Sequence, residues 1–307
     1  MSSERMGLPR VLVGGSINTD LVVRVNAAPD EGETVTGTSF AIFPGGKGAN
    51  QAVAAARSGS NVAMLGAVGK DDFGTSRLSD LRAEQIETST IAIIDGEPSG
   101  VALITVEASG QNRIAYVPGA TWAVTAEQGV KAVREWRPDA VMTTLELPLP
   151  VLREVYAAAR SEGIPIICNA TPEPDEAKDL AFGSDILIVN ETEGLALLDR
   201  RGEPEDWVDI GHALREAGPS SVIITLGSSG ALVCSEAGNL AIAALQVGVV
   251  DTTGAGDAFC GAFATEFVRG ADVFDAARVG VIAGSLAVTR AGAQPSMPTR
   301  AEIEARL

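Results

Sequence analysis

Short apolar runs rich in valine and isoleucine recur along this chain. Between them lie longer stretches whose apolar positions return every three or four residues. From about residue 124 the alternation is regular. The spacing predicts helices over "TAEQGVKAVREW", "PLPVLREVYAAARSEG" and "GHALREAG", and buried strands over "DAVMTTLE", "PIICNA", "DILIVN" and "SVIITLG". Helices alternating with short buried strands imply βαβ units and a mainly parallel sheet. "GALVCSEAGNLAIAAL" reads as a hairpin turning at Ala237-Gly238-Asn239. "AGDAFCGAFATEFVRG" and "VFDAARVGVIAGSLAVTRAG" make the last third helical.

Nearer the N-terminus, "RVLVGGSINTDLVVRV" predicts a buried strand, a Gly-Gly turn and a second strand, and "NVAMLGAVG" predicts another. "GVALITVE" and "NRIAYV" flank "ASGQ", a hairpin signal. The βαβ pattern breaks at about 19–42 and 98–118. Both stretches predict antiparallel strands that leave the main layer and pair into a small sheet covering a site. The expected architecture is one α/β domain over 1–307, with a three-layer αβα core, a mostly parallel central sheet and a small β-sheet lid.

The composition excludes several functions. The chain has 307 residues, 46% of them hydrophobic, and a net charge of −17. Such a surface repels nucleic acid and anionic membranes, and neither is an expected partner. Cys168, Cys234 and Cys260 stand far apart with no CxxC spacing, and His212 is the single histidine, so reduced thiols are expected rather than a zinc site. "MSSERMGLPR" lacks the apolar core of a secretory signal, and no apolar run matches the ~20 residues of a membrane helix. The expected location is the cytoplasm.

Two glycine-rich stretches carry candidate chemistry. In "PGGKGANQAVAAARSG", glycine and lysine precede a helix, which suggests phosphate. A Walker loop, however, needs a glycine with four residues between it and Gly-Lys, and a hydroxyl after the pair. Here Ala41 holds the first place and Gly48 follows Gly46-Lys47. The stretch is then either a plain loop and cap or part of a binding turn. In "VDTTGAGDAFCGAFA", Gly254, Ala255 and Gly256 open a helix, where free backbone N–H groups bind anions. Asp257 in its first turn is either a helix cap or a base beside an anion cradle.

Asn18 and Asp20 in "GSINTD" alternate, so they share one side if extended. With Lys47 and Asn50 they make a set suited to vicinal hydroxyls; otherwise they are turn residues. Glu146 in "TLELP" follows a strand, where ligand groups cluster in α/β sheets. Asn190 and Glu193 in "IVNETEG" stand one helical turn apart, either to organise Mg²⁺ waters and phosphates or to cap a helix. "ITLGSSG" crosses from strand to loop, where it can approach adenine or ribose. No GxGxxG with a downstream acid occurs, which disfavours a dinucleotide enzyme.

Together, "GGSINTD", "GETVTG", "GGKGANQAVAAARSG", "NETE", "TLGSSG", "DTTGAGDAFCGAF" and "AVTRAGAQPSMP" closely resemble the ribokinase-like (PfkB) carbohydrate kinase family over nearly the whole chain. "GSINTD", "GETVTG" and "GAQPS" resemble its ribose-phosphorylating branch. The resemblance implies transfer from ATP to the 5-hydroxyl of D-ribose, giving ribose 5-phosphate. It implies Asp257 as base and Gly254, Ala255 and Gly256 as anion hole. Asn18, Asp20, Gly46, Lys47, Asn50 and Glu146 would hold the sugar. Asn190, Glu193, Gly256 and the loop Thr225, Leu226, Gly227, Ser228, Ser229 and Gly230 would bind nucleotide, with Asn190 and Glu193 supporting Mg²⁺. Asp251, Thr253, Ala287, Arg290, Gly292 and Ser296 map to a K⁺ loop, and the lid implies a homodimer. Three positions depart from the family pattern: Val281 near the adenine position, Thr121 where asparagine is usual, and Cys260 where asparagine is common. The alternatives are kinases of 2-deoxyribose, adenosine or fructose, and a non-catalytic sugar sensor.

Overall fold

The computed structural model describes residues 7–171, 175–202 and 206–307. In chain order the strands are β1 (Arg10–Gly14), β2 (Asn18–Val25), β3 (Ser39–Gly45), β4 (Asn61–Gly69), β5 (Ile91–Ile94), β6 (Gly100–Glu107) and β7 (Asn112–Val117). They continue with β8 (Ala140–Thr144), β9 (Ile166–Asn169), β10 (Ile186–Asn190), β11 (Ser221–Thr225), β12 (Ala231–Ser235) and β13 (Gly238–Ile242). The helices are α1 (Lys47–Arg57), α2 (Asp72–Ala83), α3 (Ala126–Trp136), α4 (Leu149–Ser161) and α5 (Lys178–Phe182). After these come α6 (Glu191–Leu197), α7 (Trp207–Glu216), α8 (Ala255–Val268), α9 (Val273–Ala287) and α10 (Arg300–Glu304).

Strand alternation builds three layers. Val11, Val13, Ile186, Ile188 and Ile223 face α1, α8 and α9 in one core. Leu12, Leu187, Val189, Val222 and Ile224 face α3, α4 and α7 in the other. Successive residues of a strand point to opposite faces, so a strand apolar throughout must be covered on both. The sheet order is β13-β12-β11-β10-β9-β8-β1-β4-β5. It is parallel from β11 to β5, and the hairpin β12–β13 closes one edge antiparallel. Three-layer α/β architecture is therefore what the alternation predicts. The hairpin turn falls one residue early, at Glu236–Ala237, with Gly238 and Asn239 already in β13.

The chain moves from β1 toward β4 on one side and from β8 toward β9 on the other. β1 and β8 are neighbours, so the order reverses between them. In such sheets, ligands lie beyond the carboxyl ends of the strands at that reversal.

The second sheet has order β3-β2-β6-β7. Its outer pairs are antiparallel, but the central pair β2–β6 is parallel, which differs from the expectation of antiparallel strands alone. The reason is topological: β2 follows β1 and β6 follows β5, two parallel strands whose carboxyl ends leave the main sheet at the same end. β3 also reaches Gly45, beyond the expected limit at 42, so this sheet runs directly into the glycine turn before α1.

Candidate active site

Ser16 follows β1 and Glu146 follows β8, on either side of the reversal. The Ser16 backbone N–H donates to Glu146 Oε2 at 3.0 Å, and Thr144 Oγ1 donates to the same oxygen at 2.9 Å. Burial pushes the Glu146 carboxyl up, against these hydrogen bonds and the charge of Lys47. Asn18 and Asp20 lie on β2 with side chains on one face, as their alternation predicts. The register places Phe43, Asp20, Ala102 and Tyr116 in one row across the four strands of the small sheet. Burial raises Asp20 to about 6, while Arg77 opposes and Asp257 reinforces the shift.

Gly46 caps α1 with φ 93°, a conformation that favours glycine. A Cβ there would stand 2.6 Å from the Ser16 carbonyl oxygen and 2.8 Å from the Asn18 nitrogen. This close approach ties the start of α1 to the β1–β2 turn. Lys47, the first residue of α1, lines a cavity with its side chain exposed there. Partial loss of water lowers its pKa, but Asp257, Glu146 and Glu193 outweigh that and hold it above its ordinary value.

Gly254, with φ 78°, caps α8, and Asp257 is its third residue. No side chain caps this helix, so the capping reading of Asp257 is set aside. The Ala255 N–H meets the Thr252 carbonyl at 3.3 Å, and the N–H groups of Gly256 and Asp257 remain available to an anion. Asp257 is buried instead against α1. Asn50 Nδ2 donates to Asp257 Oδ2 at 2.9 Å, and Gln51 Nε2 donates to Oδ1 at 3.1 Å. Burial raises the Asp257 pKa, opposed by Lys47 and these two amides. The two helices can come this close because of Gly261, one turn beyond Asp257. A Cβ there would stand 2.5 Å from the Ala55 nitrogen and 2.7 Å from the Gln51 carbonyl oxygen.

Asn190 and Glu193 form the capping box of α6: the Glu193 N–H donates to Asn190 Oδ1 and the Asn190 N–H to Glu193 Oε2, each at 2.8 Å. Both also line a cavity of about 460 Å³ with Lys47, Thr225, Gly254, Ala255, Gly256 and Asp257. A second cavity, about 500 Å³, is lined by Gly227, Ser228, Gly230, Val247, Phe259, Val281 and Val288. Thr225, Gly227, Thr252, Ala255 and Gly256 line both, so the two are continuous past the start of α8. Leu226 and Ser229 line neither: Leu226 packs against the core and the Ser229 N–H donates to the Leu226 carbonyl.

Asp251 gathers the loop that precedes α8. Its Oδ1 accepts from the Thr253 N–H at 2.9 Å and Oγ1 at 2.7 Å, and its Oδ2 accepts from the Gly292 N–H at 2.9 Å. The Asp251 N–H reaches the Val288 carbonyl just past α9. Ser296 is buried, with its hydroxyl on the Ala293 carbonyl at 2.8 Å, and the Arg290 N–H meets the Ala287 carbonyl at 3.2 Å. The Arg290 guanidinium pairs with Glu302.

Sequence reasoning missed two residues here. Gln51 sits in an alanine-rich stretch that reads as plain packing. Tyr116 shares the row of Asp20, and its hydroxyl faces Asn18, Thr121 and Ser16; burial and the nearby Glu146 push it up to about 12. The two-residue period of "NRIAYV" is the signal that could have placed it.

Polar groups gathered at the sheet reversal beside an amide-lined helix start form a site for a small polar or anionic ligand. Residues 8–300 match the pfkB family carbohydrate kinase profile. The chain is 39% identical to the ribokinase of Bacillus subtilis, over 96% of this chain and 98% of that protein. It is 34% identical to the deoxyribokinase of Salmonella typhi, over 94% and 95%. It superposes on Arabidopsis thaliana ribokinase complexed with ribose and ATP with a TM-score of 0.87 and 30% identity, over 97% and 98% of the two chains. The chain belongs to the PfkB family of carbohydrate kinases.

Proposed function

We propose that this protein transfers the γ-phosphoryl group of ATP to the 5-hydroxyl of D-ribose. One observation carries the reading: the buried Asp257 carboxylate stands beside the Gly254–Gly256 turn, where two continuous cavities meet, with Lys47 on the wall of one of them. The likeness to ribokinases, one of them solved with ribose and ATP, supports it.

In this reading the sugar lies between Asp257 and the Ser16–Glu146 corner. Asn18, Asp20, Gly46, Lys47, Asn50 and Glu146 hold its hydroxyls. The apolar cavity around Phe259 and Val281 takes adenine, where a valine offers packing and no polar contact. Thr225 and Gly227–Gly230 carry the ribose and phosphates toward α8. Asp257 then orients the 5-hydroxyl. A bond forms from that oxygen to the γ-phosphorus while the bond from phosphorus to the β,γ-bridging oxygen breaks. The hydroxyl proton passes to Asp257, and ADP leaves. A loose phosphoryl transition state demands little early proton transfer, and the amides of the α8 start balance charge on the transferring oxygens. A raised Asp257 pKa suits a base better than an ordinary carboxylate. The small sheet, which carries Asp20, closes over the sugar and excludes water.

Among the described residues, no group of three or more His, Cys, Asp or Glu forms a metal cage. That fits a Mg²⁺ held mainly by phosphate oxygens and water, with Glu193 and Asn190 at the cavity wall. When bound, it neutralises phosphate charge. The Asp251 loop offers oxygen donors alone, with the Arg290 cation turned to Glu302, which fits K⁺ held by Asp251, Ser296 and the backbone at Thr253, Ala287, Arg290 and Gly292.

Phe40, Ile42, Leu103 and Val117 lie on the face of the small sheet opposite Asp20, each half exposed or more. A four-stranded sheet with an apolar outer face needs cover, and a second copy supplies it as a homodimer. Among the described residues, no helix is long and apolar enough to cross a membrane; the proposed place of action is the cytoplasm.

The deoxyribokinase likeness supports a second reading, 2-deoxyribose as substrate. ADP formation with ATP, Mg²⁺, K⁺ and a panel of ribose, 2-deoxyribose, fructose and adenosine tests both. Ribose should give the largest kcat/KM. A larger value for another acceptor would move the assignment to it, and no ADP with any would leave a non-catalytic sensor.

A further inference from the structure

Gln51 is fully buried, yet its side chain is the second polar group on the Asp257 carboxylate. Its Nε2 spends both hydrogens: one on Asp257 Oδ1 at 3.1 Å and one on Asn169 Oδ1 at 2.9 Å. Asn169, at the end of β9, is itself fixed, its Nδ2 donating to the Ile188 carbonyl at 3.2 Å. A line of amides thus runs from the β10 backbone to one carboxylate oxygen. The Gln51 amide cannot be turned over, because its oxygen would then face the carboxylate oxygen. That oxygen, Oε1, is buried without a hydrogen-bond partner. Leaving a buried acceptor unpaired is costly, so the Nε2 contacts outweigh it.

The neighbouring residue is not equivalent. Asn50 donates to the other oxygen, Oδ2, but its own Oδ1 is also buried and unpartnered. Asn50 Nδ2 gives one hydrogen to protein and has one left for a ligand, whereas both Gln51 Nε2 hydrogens are committed to protein. Asn50 is free to re-pair when a sugar enters, and Gln51 is not.

We propose that Gln51 is a positioning residue that, braced by Asn169, fixes the Asp257 carboxylate and leaves Oδ2 as the oxygen that receives the substrate proton. The inference rests on Asp257 being the base. A donated hydrogen bond favours the ionised carboxylate, so its removal moves the acidic limb of the rate profile upward. Other charged or titratable groups facing Asp257 are Lys47 on α1, Glu193 on α6, Asp20 on β2 and Cys260 on α8. None is altered in the test.

The test compares wild type, Gln51→Met, Asn169→Ser and Asp257→Asn by single-turnover phosphorylation of ribose across pH. Methionine keeps the length of glutamine without its donors. The acidic limb of Gln51→Met should rise by about one pH unit, the usual effect of one lost hydrogen bond to a carboxylate. Its high-pH plateau and ribose KM should change by only a few-fold. Asn169→Ser should shift the limb the same way by less, and it stands alone if Gln51→Met does not fold. A uniform loss of rate with an unmoved limb in the folded variants would overturn the proposal. If Asp257→Asn turns over like wild type, the base assignment itself fails, whatever Gln51 does.

Discussion

Asn50 and Asp257 meet at 2.9 Å across 207 residues of sequence, the Asn50 amide donating to the Asp257 carboxylate. The contact joins the glycine turn at the start of α1 to the glycine turn at the start of α8. Neither stretch is complete alone, and the close packing at Gly261 is what brings them together.

Asn50 is expected to read the sugar diol through its unpartnered Oδ1. Asn50→Ala should lower kcat/KM for ribose by roughly 10²-fold or more, because a site built to pair a hydroxyl discriminates steeply. The value for 2-deoxyribose should fall much less. Parallel ADP-release assays check this; equal losses for both sugars would place diol recognition elsewhere.

Asp20 is expected to cost stability in exchange for binding. Its folded pKa, about 6, lies above the ordinary 3.8, so the native state holds this proton more tightly. The contribution is fully favourable below 3.8 and is lost as pH rises through about 6. Asp20→Asn should therefore be more stable than wild type at pH 8, by up to about 3 kcal/mol, with the gain fading toward pH 4. Urea titrations at the two pH values check the sign, and ribose affinity of the variant should fall.

The sequence made much of this site legible, and what it hid follows from physical causes. Strands such as β4 and β6 are readable because burial on one or both faces fixes their pattern, whereas β7 is exposed along its length and is readable only through the hairpin signal before it. Strand neighbours are not, since a two-residue period is the same for parallel and antiparallel partners; hence the parallel β2–β6 pair was unexpected. β3 blurred because Pro44 and Gly45 read as turn residues. α2 gave no signal: only Gly74, Arg77, Leu78 and Leu81 are buried along it. Asp257 was recognisable from its helix start, but its burial depends on α1, far away in sequence. Gln51 was hidden for the same reason.

The Asp251 loop is expected to act on the anion turn without touching substrate. A Cβ at Gly254 would stand 3.0 Å from the Ala293 Cα, so the 292–296 turn supports the start of α8. Replacing K⁺ by Na⁺ or a bulky organic cation should reduce kcat sharply, and Asp251→Ala should abolish the difference between cations. Equal rates in all cations for wild type would refute the assignment.

The apolar outer face of the small sheet should hold a second copy. Leu103 lies at its centre, paired with Leu21 on one side and Ala115 on the other. Leu103→Glu should shift the protein from dimer to monomer in sedimentation analysis while its fold persists. A monomeric wild type at micromolar concentration would contradict the proposed assembly.

The central claim is that Asp257 takes the proton of the ribose hydroxyl. The direct measurement is single-turnover phosphorylation of ribose by Asp257→Asn, with ribose affinity measured in parallel by calorimetry. The rate should fall by roughly 10²-fold or more, the usual size of a general-base effect, with ribose binding changed only a few-fold. Turnover near the wild-type rate would contradict it.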